Sequence, residues 1–447
     1  MSDPIAEGLP QRRTYSPLAL LLLALNLISA GLFIATVRRP VYDDGFNIFD
    51  VHNYAANGFS TATLLSQRNA PGPTSFVWMA AAVHLIGGNE LRDARIGALF
   101  SWLLLGMGVF LGARLSAYPE LWYGAIITLL VFPHAVETAA EILTEGPALF
   151  FAVIGALAWT EFTGRINLRT ATLITGMLGC LFMGLAVTCR QYNIALLLAA
   201  ALLASMQFRT KMWDRDEKWR WLAGSLLSLT LSALPVLLLV LVWKGIASPG
   251  IESGASYNMM YKAGVGLNIT RPIIVTLYVA FYLFPFTFPL MLRCKSAHRL
   301  RMLGFAVPVG VAAGFGTDSL IQPGPLNTAL NFAAGAFHVR AVLFGALVAL
   351  AIYNLVILGV ALWEHRSSLI SAPPIAFALF VILFFIIEQF GVGGNIPFYD
   401  RYVIQLAPFI GIVSFALLPS FDKVQFSLLA AMSVISHAML WRYAFTP

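Results

Sequence analysis

The sequence predicts an all-α polytopic membrane protein, a bundle of about 13 transmembrane helices with a large first non-cytoplasmic loop that carries a surface helix. Composition is the first ground, since 59% of the 447 residues are hydrophobic and only 11% are charged. Spacing is the second: apolar runs of about 20 residues, the length that crosses a bilayer, recur from Ser16 to Trp441. Periodicity is the third. A soluble amphipathic helix keeps one polar face, whereas most of these runs are apolar all the way round.

Taken in order, the first run covers 16–37 behind a short polar stretch containing Arg12 and Arg13. It is too long for a signal-peptide core and lacks a small-residue cleavage site, so it reads as a retained signal-anchor. Residues 38–95 form the first loop. Within it Asn69-Ala70-Pro71-Gly72-Pro73 is a rigid turn that introduces a helix over 74–88 lying at the membrane surface. Further spans follow at 96–115, 120–134, 146–163, 170–188, 193–208, 221–243, 273–292, 302–318, 341–363, 370–389, 403–420 and 424–441. No short repeat or low-complexity tract divides the chain, so 1–447 reads as one integral membrane domain.

Charges orient the bundle, because cytoplasmic loops carry excess Lys and Arg. With 74–88 at the surface, Arg114, Arg165, Arg169, the Arg209–Arg220 and Arg293–Arg301 clusters, Arg366 and Lys423 all fall inside, together with Arg12 and Arg13. Fewer basic residues stay outside, among them Arg190, Arg271, Arg340 and Arg401. The formal charge of +7 is therefore a topology signal and points to no nucleic acid partner. Cys180, Cys189 and Cys294 have neither metal-site spacing nor the even count of a disulfide framework. A Gly, Ser and Asn-rich outer loop at 245–271 can serve as a lid, and Asn268-Ile269-Thr270 on it is an outward-facing glycosylation triplet.

This orientation gathers the unusual polar residues on one side. Asp43 and Asp44 stand where the first run meets water, and a carboxylate pair at a bilayer rim is costly unless it has work to do. Two adjacent carboxylates repel, which suits one of them to act as a general base. His134, Glu137, Glu141 and Glu145 follow, the glutamates recurring every four residues as if along one helix face. They can bind a divalent cation, position a sugar hydroxyl or face solvent. Arg190-Gln191-Tyr192-Asn193 offers a guanidinium fork for phosphate oxygens and amides for hydroxyls. Glu388 and Gln389 share that side, and Tyr399-Asp400-Arg401-Tyr402 supplies a second guanidinium with aromatic neighbours. Such convergence argues for one polar cavity opening away from the cytoplasm.

In this order and on one face, the residues resemble the GT-C superfamily of integral membrane glycosyltransferases. Tyr42-Asp43-Asp44-Gly45-Phe46, Ala70-Pro71-Gly72 and Arg190-Gln191-Tyr192-Asn193-Ile194 look like the motifs of the dolichyl-phosphate-glucose-dependent α-1,2-glucosyltransferase family. The chain departs from that pattern at Asp44, Ala70 and Tyr192, where the family has Glu, Pro and Thr. Asp400-Arg401-Tyr402 is similar to the closing motif of the protein mannosyltransferase and aminoarabinose transferase branches, and Glu141-Ile142-Leu143-Thr144-Glu145 sits where those branches keep a second acidic motif.

The resemblance implies a polyprenyl-phosphate-linked sugar as donor, a glycan, lipid or protein acceptor, and no required cofactor, with a divalent metal optional. Arg190 and Arg401 are expected to hold the donor phosphate. Asp43, or Asp44 as second choice, is expected to deprotonate the acceptor hydroxyl in a single inverting displacement. Glu141 and Glu145 would orient sugars or hold a metal, with Asn47, Gln191, Asn193 and Tyr402 as further substrate contacts. The expected location is a bacterial inner membrane with the site on the periplasmic side, the endoplasmic reticulum being the alternative. The rival reading is a transporter or flippase for lipid-linked sugars, which also needs charges in a membrane cavity.

Overall fold

The computed structural model of the chain describes residues 15–41, 43–69, 72–165, 169–210, 215–245, 247–253, 270–293, 296–315, 337–391, 400–417 and 423–445. Among the described residues there are helices and no strands. Ten helices are long and apolar enough to cross a membrane, and they occupy ten of the expected spans. The other three expected spans coincide with shorter apolar helices.

The first half runs α1 (Ser16–Thr36), α2 (Asp44–Asn57), α3 (Thr61–Ser66), α4 (Pro73–Ile86), α5 (Glu90–Leu115), α6 (Pro119–Val131), α7 (Ala135–Ala140), α8 (Glu145–Gly164), α9 (Thr170–Cys189), α10 (Ile194–Thr210) and α11 (Arg215–Trp243). The second half continues with α12 (Thr270–Arg293), α13 (Ser296–Phe315), α14 (Phe337–Glu364), α15 (Arg366–Ser371), α16 (Pro373–Glu388), α17 (Ala407–Leu417) and α18 (Lys423–Phe445).

Helix α6 is only about 20 Å long at 1.5 Å per residue, too short to span a bilayer unaided. It belongs to the interior instead: every residue from Leu121 to Val131 is buried, with α1, α5 and α17 packed around it. Small residues let neighbouring helices close on one another, since a Cβ on Gly155 of α8 would lie 2.8 Å from the Gly179 carbonyl oxygen of α9. Side chains from α1, α5 to α10, α12, α16 and α17 merge into one apolar core.

The first loop has a smaller core of its own. Val51, Tyr54, Leu64, Phe76, Met79 and Ala80 pack with Ala94 and Ala98 of α5 and with Ile142. The expected surface helix exists as α4, between Gly72 and a left-handed Gly87 that closes it. Helix α5 starts at Glu90, ahead of the expected span, because Asn89 caps the Arg92 N–H and the first turn runs through the polar Glu90 to Asp93. A hydropathy run does not register such a polar first turn.

The glutamates also do not share one helix face. α7 stops at Ala140, Glu141 is extended (φ −106°, ψ 164°), and α8 starts afresh at Glu145. Pro147 explains the break: it has no N–H to give the residue four positions earlier, so it is tolerated in the first turn of a helix and not in the middle of one.

Candidate active site

Asp43 sits at the N-cap of α2 with its side chain 28% exposed, and its Oδ2 accepts a hydrogen bond from Arg401 Nη2. Arg401 lies on a short 3₁₀ turn, Asp400–Leu406, that leads into α17. Behind Arg401 stands Glu145, at the positive end of the α8 dipole, where a carboxylate is favoured. Glu145 Oε1 is 3.7 Å from Arg401 Nε and accepts from Arg190 Nη2 at 2.6 Å. One unbroken chain of opposite charges therefore links Asp43, Arg401, Glu145 and Arg190, four residues far apart in sequence. Tyr192 and Tyr402 lie with ring centroids 5.7 Å apart, and the Arg190 guanidinium faces both rings at 5.7 and 5.5 Å.

The neighbouring aspartate faces the other way. Asp44 is fully buried, and its Oδ2 accepts from Arg95 Nη2 at 2.5 Å, Arg95 Nε at 3.1 Å and the Val41 N–H at 3.1 Å. Its Oδ1 accepts from the Ile142 N–H at 2.6 Å. Asn47 Nδ2 donates to the carbonyl of the same residue at 2.6 Å. Asp44 and Asn47 thus hold both polar groups of Ile142. Sequence reasoning missed Arg95, which also donates to the carbonyls of Val37 and Arg39. Its position inside an assumed loop hid it; the acidic first turn beside it was the available signal.

Glu141 is fully buried, and among the described residues neither carboxyl oxygen has a hydrogen-bond partner. Burial first, then the nearby charges of Glu137 and Asp44, hold its carboxyl well above the usual carboxylate range. Burial works the same way on Glu137. There the hydrogen bond and charge of His134, 2.7 Å away, and the charge of Arg442 outweigh it and hold the carboxyl low.

Among the remaining expected contacts, Asn193 is buried and donates to the Ala186 carbonyl, while Gln191 is exposed. The Pro-Gly turn reaches this motif directly: the Gly72 N–H bonds the Cys189 carbonyl at 3.0 Å, and Thr74 and Thr188 hydroxyls pair at 2.7 Å. Tyr42, Ala70, Pro71 and Tyr399, with residues 254–269 of the expected lid and Asn268 and Ile269 of the glycosylation triplet, lie outside the described residues, as does the side chain of Asp400.

Among the described residues no three His, Cys, Asp or Glu side chains gather as metal ligands. Glu145, expected with Glu141 to orient sugars or hold an optional metal, is engaged by two arginines.

An apolar groove of about 570 Å³ is lined by Pro272, Ile273 and Leu277 of α12, Val309 of α13, Val348 of α14 and Ile386 of α16, with Ile273 and Val309 exposed. Arg271 precedes Pro272 of this lining, with Nε donating to Gln389 Oε1 at 2.8 Å.

No family model matches the chain, and no curated protein matches it. Solved structures do. The chain is similar to ArnT from Cupriavidus metallidurans in the apo state, with 14% identity over 96% of this chain and 78% of that one, at a TM-score of 0.43. The same protein bound to undecaprenyl phosphate is 14% identical over 94% and 78%, at 0.40. It is also similar to the archaeal oligosaccharyltransferase AglB from Archaeoglobus fulgidus, in complex with an inhibitory peptide and a dolichol-phosphate, with 13% identity over 94% of this chain and 56% of that one, at 0.49. All three scores lie below 0.5.

Proposed function

We propose that the chain is an integral membrane glycosyltransferase that moves a sugar from a polyprenyl-phosphate donor to an acceptor hydroxyl. The observation that carries the reading is the part-exposed carboxylate of Asp43, paired with Arg401 in a charge network that Glu145 and Arg190 complete. Asp43 is the acid with access to water, the arginines suit a phosphate, and the apolar groove that adjoins Arg271 suits a prenyl chain.

Arg401, with Arg271 beside the groove, takes the donor phosphate. Arg190 is 7% exposed and acts from behind, holding Glu145, which in turn orients Arg401. Phosphate binding to Arg401 displaces Asp43 from its ion pair and frees the carboxylate. Asp43 then accepts the proton of the acceptor hydroxyl as that oxygen bonds the anomeric carbon. The bond from that carbon to the phosphate oxygen breaks, and polyprenyl phosphate departs with its charge stabilised by the arginines. One displacement inverts the anomeric centre. Asp44 positions the loop instead of serving as base. The site belongs on the face opposite the Lys and Arg-rich loops, the periplasmic side of a bacterial inner membrane.

The test incubates purified protein with radiolabelled undecaprenyl-phosphate and dolichyl-phosphate sugars and a membrane lipid extract. Transfer of label to a new product that depends on Asp43 supports the reading. Label that crosses vesicle membranes without forming a new bond identifies a flippase and removes it.

A further inference from the structure

Helix α2 follows its N-cap Asp43 and leaves one side exposed. Phe46 is 54% exposed and Phe49 is 39% exposed, one and two turns on from Asp43, while Asp44, Asn47, Asp50, Val51 and Tyr54 on the other side are buried. Large exposed apolar side chains call for a partner when they adjoin a site. The guanidinium of Arg68 stacks on Phe49 at 3.7 Å from the ring centroid. Its backbone is fixed there, because the N–H groups of Arg68 and Asn69 both donate to the buried Asp50 carboxylate at 2.9 Å.

Arg68 is exposed, and among the described residues its side chain has no hydrogen bond and no ion pair at contact distance. Its face is occupied by the ring and its edge of N–H donors is open. That is the arrangement in which arginine recognises a carboxylate or phosphate: aromatic stacking fixes the plane and the fork supplies two parallel bonds. Further along the helix, His52 is already paired with Glu90 at 2.9 Å, which bounds the open stretch.

We propose that the exposed side of α2 is the acceptor platform, on which Phe46 and Phe49 take the acceptor's sugar faces and Arg68 binds an anionic group that the acceptor carries. The helical rise puts Phe49 about 9 Å along the α2 axis from Asp43, so the anionic group lies away from the reacting hydroxyl. This inference rests on the glycosyltransferase reading above and adds the chemical class of acceptor, an acidic glycan or glycolipid. An exposed phenylalanine pair at a membrane surface can also serve as an interfacial anchor. In that case Arg68 would have no bearing on which acceptor is used.

The experiment separates a membrane lipid extract into anionic and neutral fractions by anion exchange. Each is offered to the full-length protein in lipid nanodiscs with radiolabelled undecaprenyl-phosphate sugar. Label is expected in the anionic fraction. Arg68→Ala and Phe49→Ala should each slow transfer roughly tenfold at low acceptor, the loss being recovered at high acceptor, because a charge-assisted bond or a desolvated stacking contact contributes about that much to binding. The dependence on donor concentration should stay unchanged. Arg68→Lys, which keeps the charge and loses the planar fork, should fall between.

Label confined to the neutral fraction, or variants whose acceptor dependence matches wild type, overturns the platform while leaving the transferase reading intact. Wild-type protein that labels neither fraction from any donor overturns both.

Discussion

Two acidic clusters lie a few residues apart at the same end of this bundle, and they are built on opposite principles. In the open cluster, Asp43 and Glu145 are joined through Arg401, and one member reaches water. In the sealed cluster, Asp44 is held by Arg95 and backbone N–H groups, Glu137 by His134, and Glu141 has no hydrogen-bond partner among the described residues. Adjacent residues of one type thus stand in opposite settings. A carboxylate becomes a reagent or a fastener according to whether its bonds can be exchanged for a ligand's.

The comparison breaks most directly at Asp43. Asp43→Ala should lower the initial rate of sugar transfer by about 10²–10⁴-fold, the usual contribution of a positioned general base. Its thermal unfolding should move little, since a part-exposed side chain does little packing. Asp44→Ala should do the reverse. It strands the Arg95 charge in a fully buried position and should cost about 3–5 kcal/mol, read as lost folded yield and a lower unfolding temperature in detergent. Equal behaviour of the two variants would erase the distinction.

Gly72→Ala should come next. A Cβ there would sit 1.8 Å from the Thr188 carbonyl oxygen, so the turn must move off α9, at about 1–3 kcal/mol with a parallel fall in activity.

Glu141 sharpens the sealed side through pH. Its folded carboxyl is held well above the usual range, whereas the unfolded chain releases that proton near an ordinary value of about 4.3. The stability it contributes is therefore complete below that value and declines as pH rises toward the folded one. Glu141→Gln keeps a neutral side chain at every pH, so its unfolding temperature should decline less between mildly acidic and alkaline buffer than that of wild type. The smallest effect belongs to the exposed His52–Glu90 pair, where His52→Ala should change stability by less than about 0.5 kcal/mol.

Much of the fold was legible because lipid imposes length and apolarity on every span, and the helices stand where the apolar runs predicted. Most of the site was legible for the same reason: Asp43, Glu145, Arg190 and Arg401 are anomalies in an apolar chain, and they meet. Pairing was not legible. Nothing local to Arg95 names Asp44 as its partner, since the two meet only when α5 packs against the start of α2. The glutamate spacing misled because a four-residue recurrence means a helix face only where the helix is continuous, and Pro147 ends that continuity. Arg68 escaped notice as one more loop cation, because stacking on Phe49 depends on a backbone held by Asp50.

Ile142 offers a last consequence. Asp44 and Asn47 grip its N–H and its carbonyl, so the two peptide planes that flank Ile142 are each pinned from successive turns of α2. A hinge fixed at two points cannot swivel. The acid just before it, Glu141, is therefore aimed by a helix nearly a hundred residues upstream, and lengthening α2 by a single residue between Asp44 and Asn47 would turn that aim aside without touching the glutamate itself.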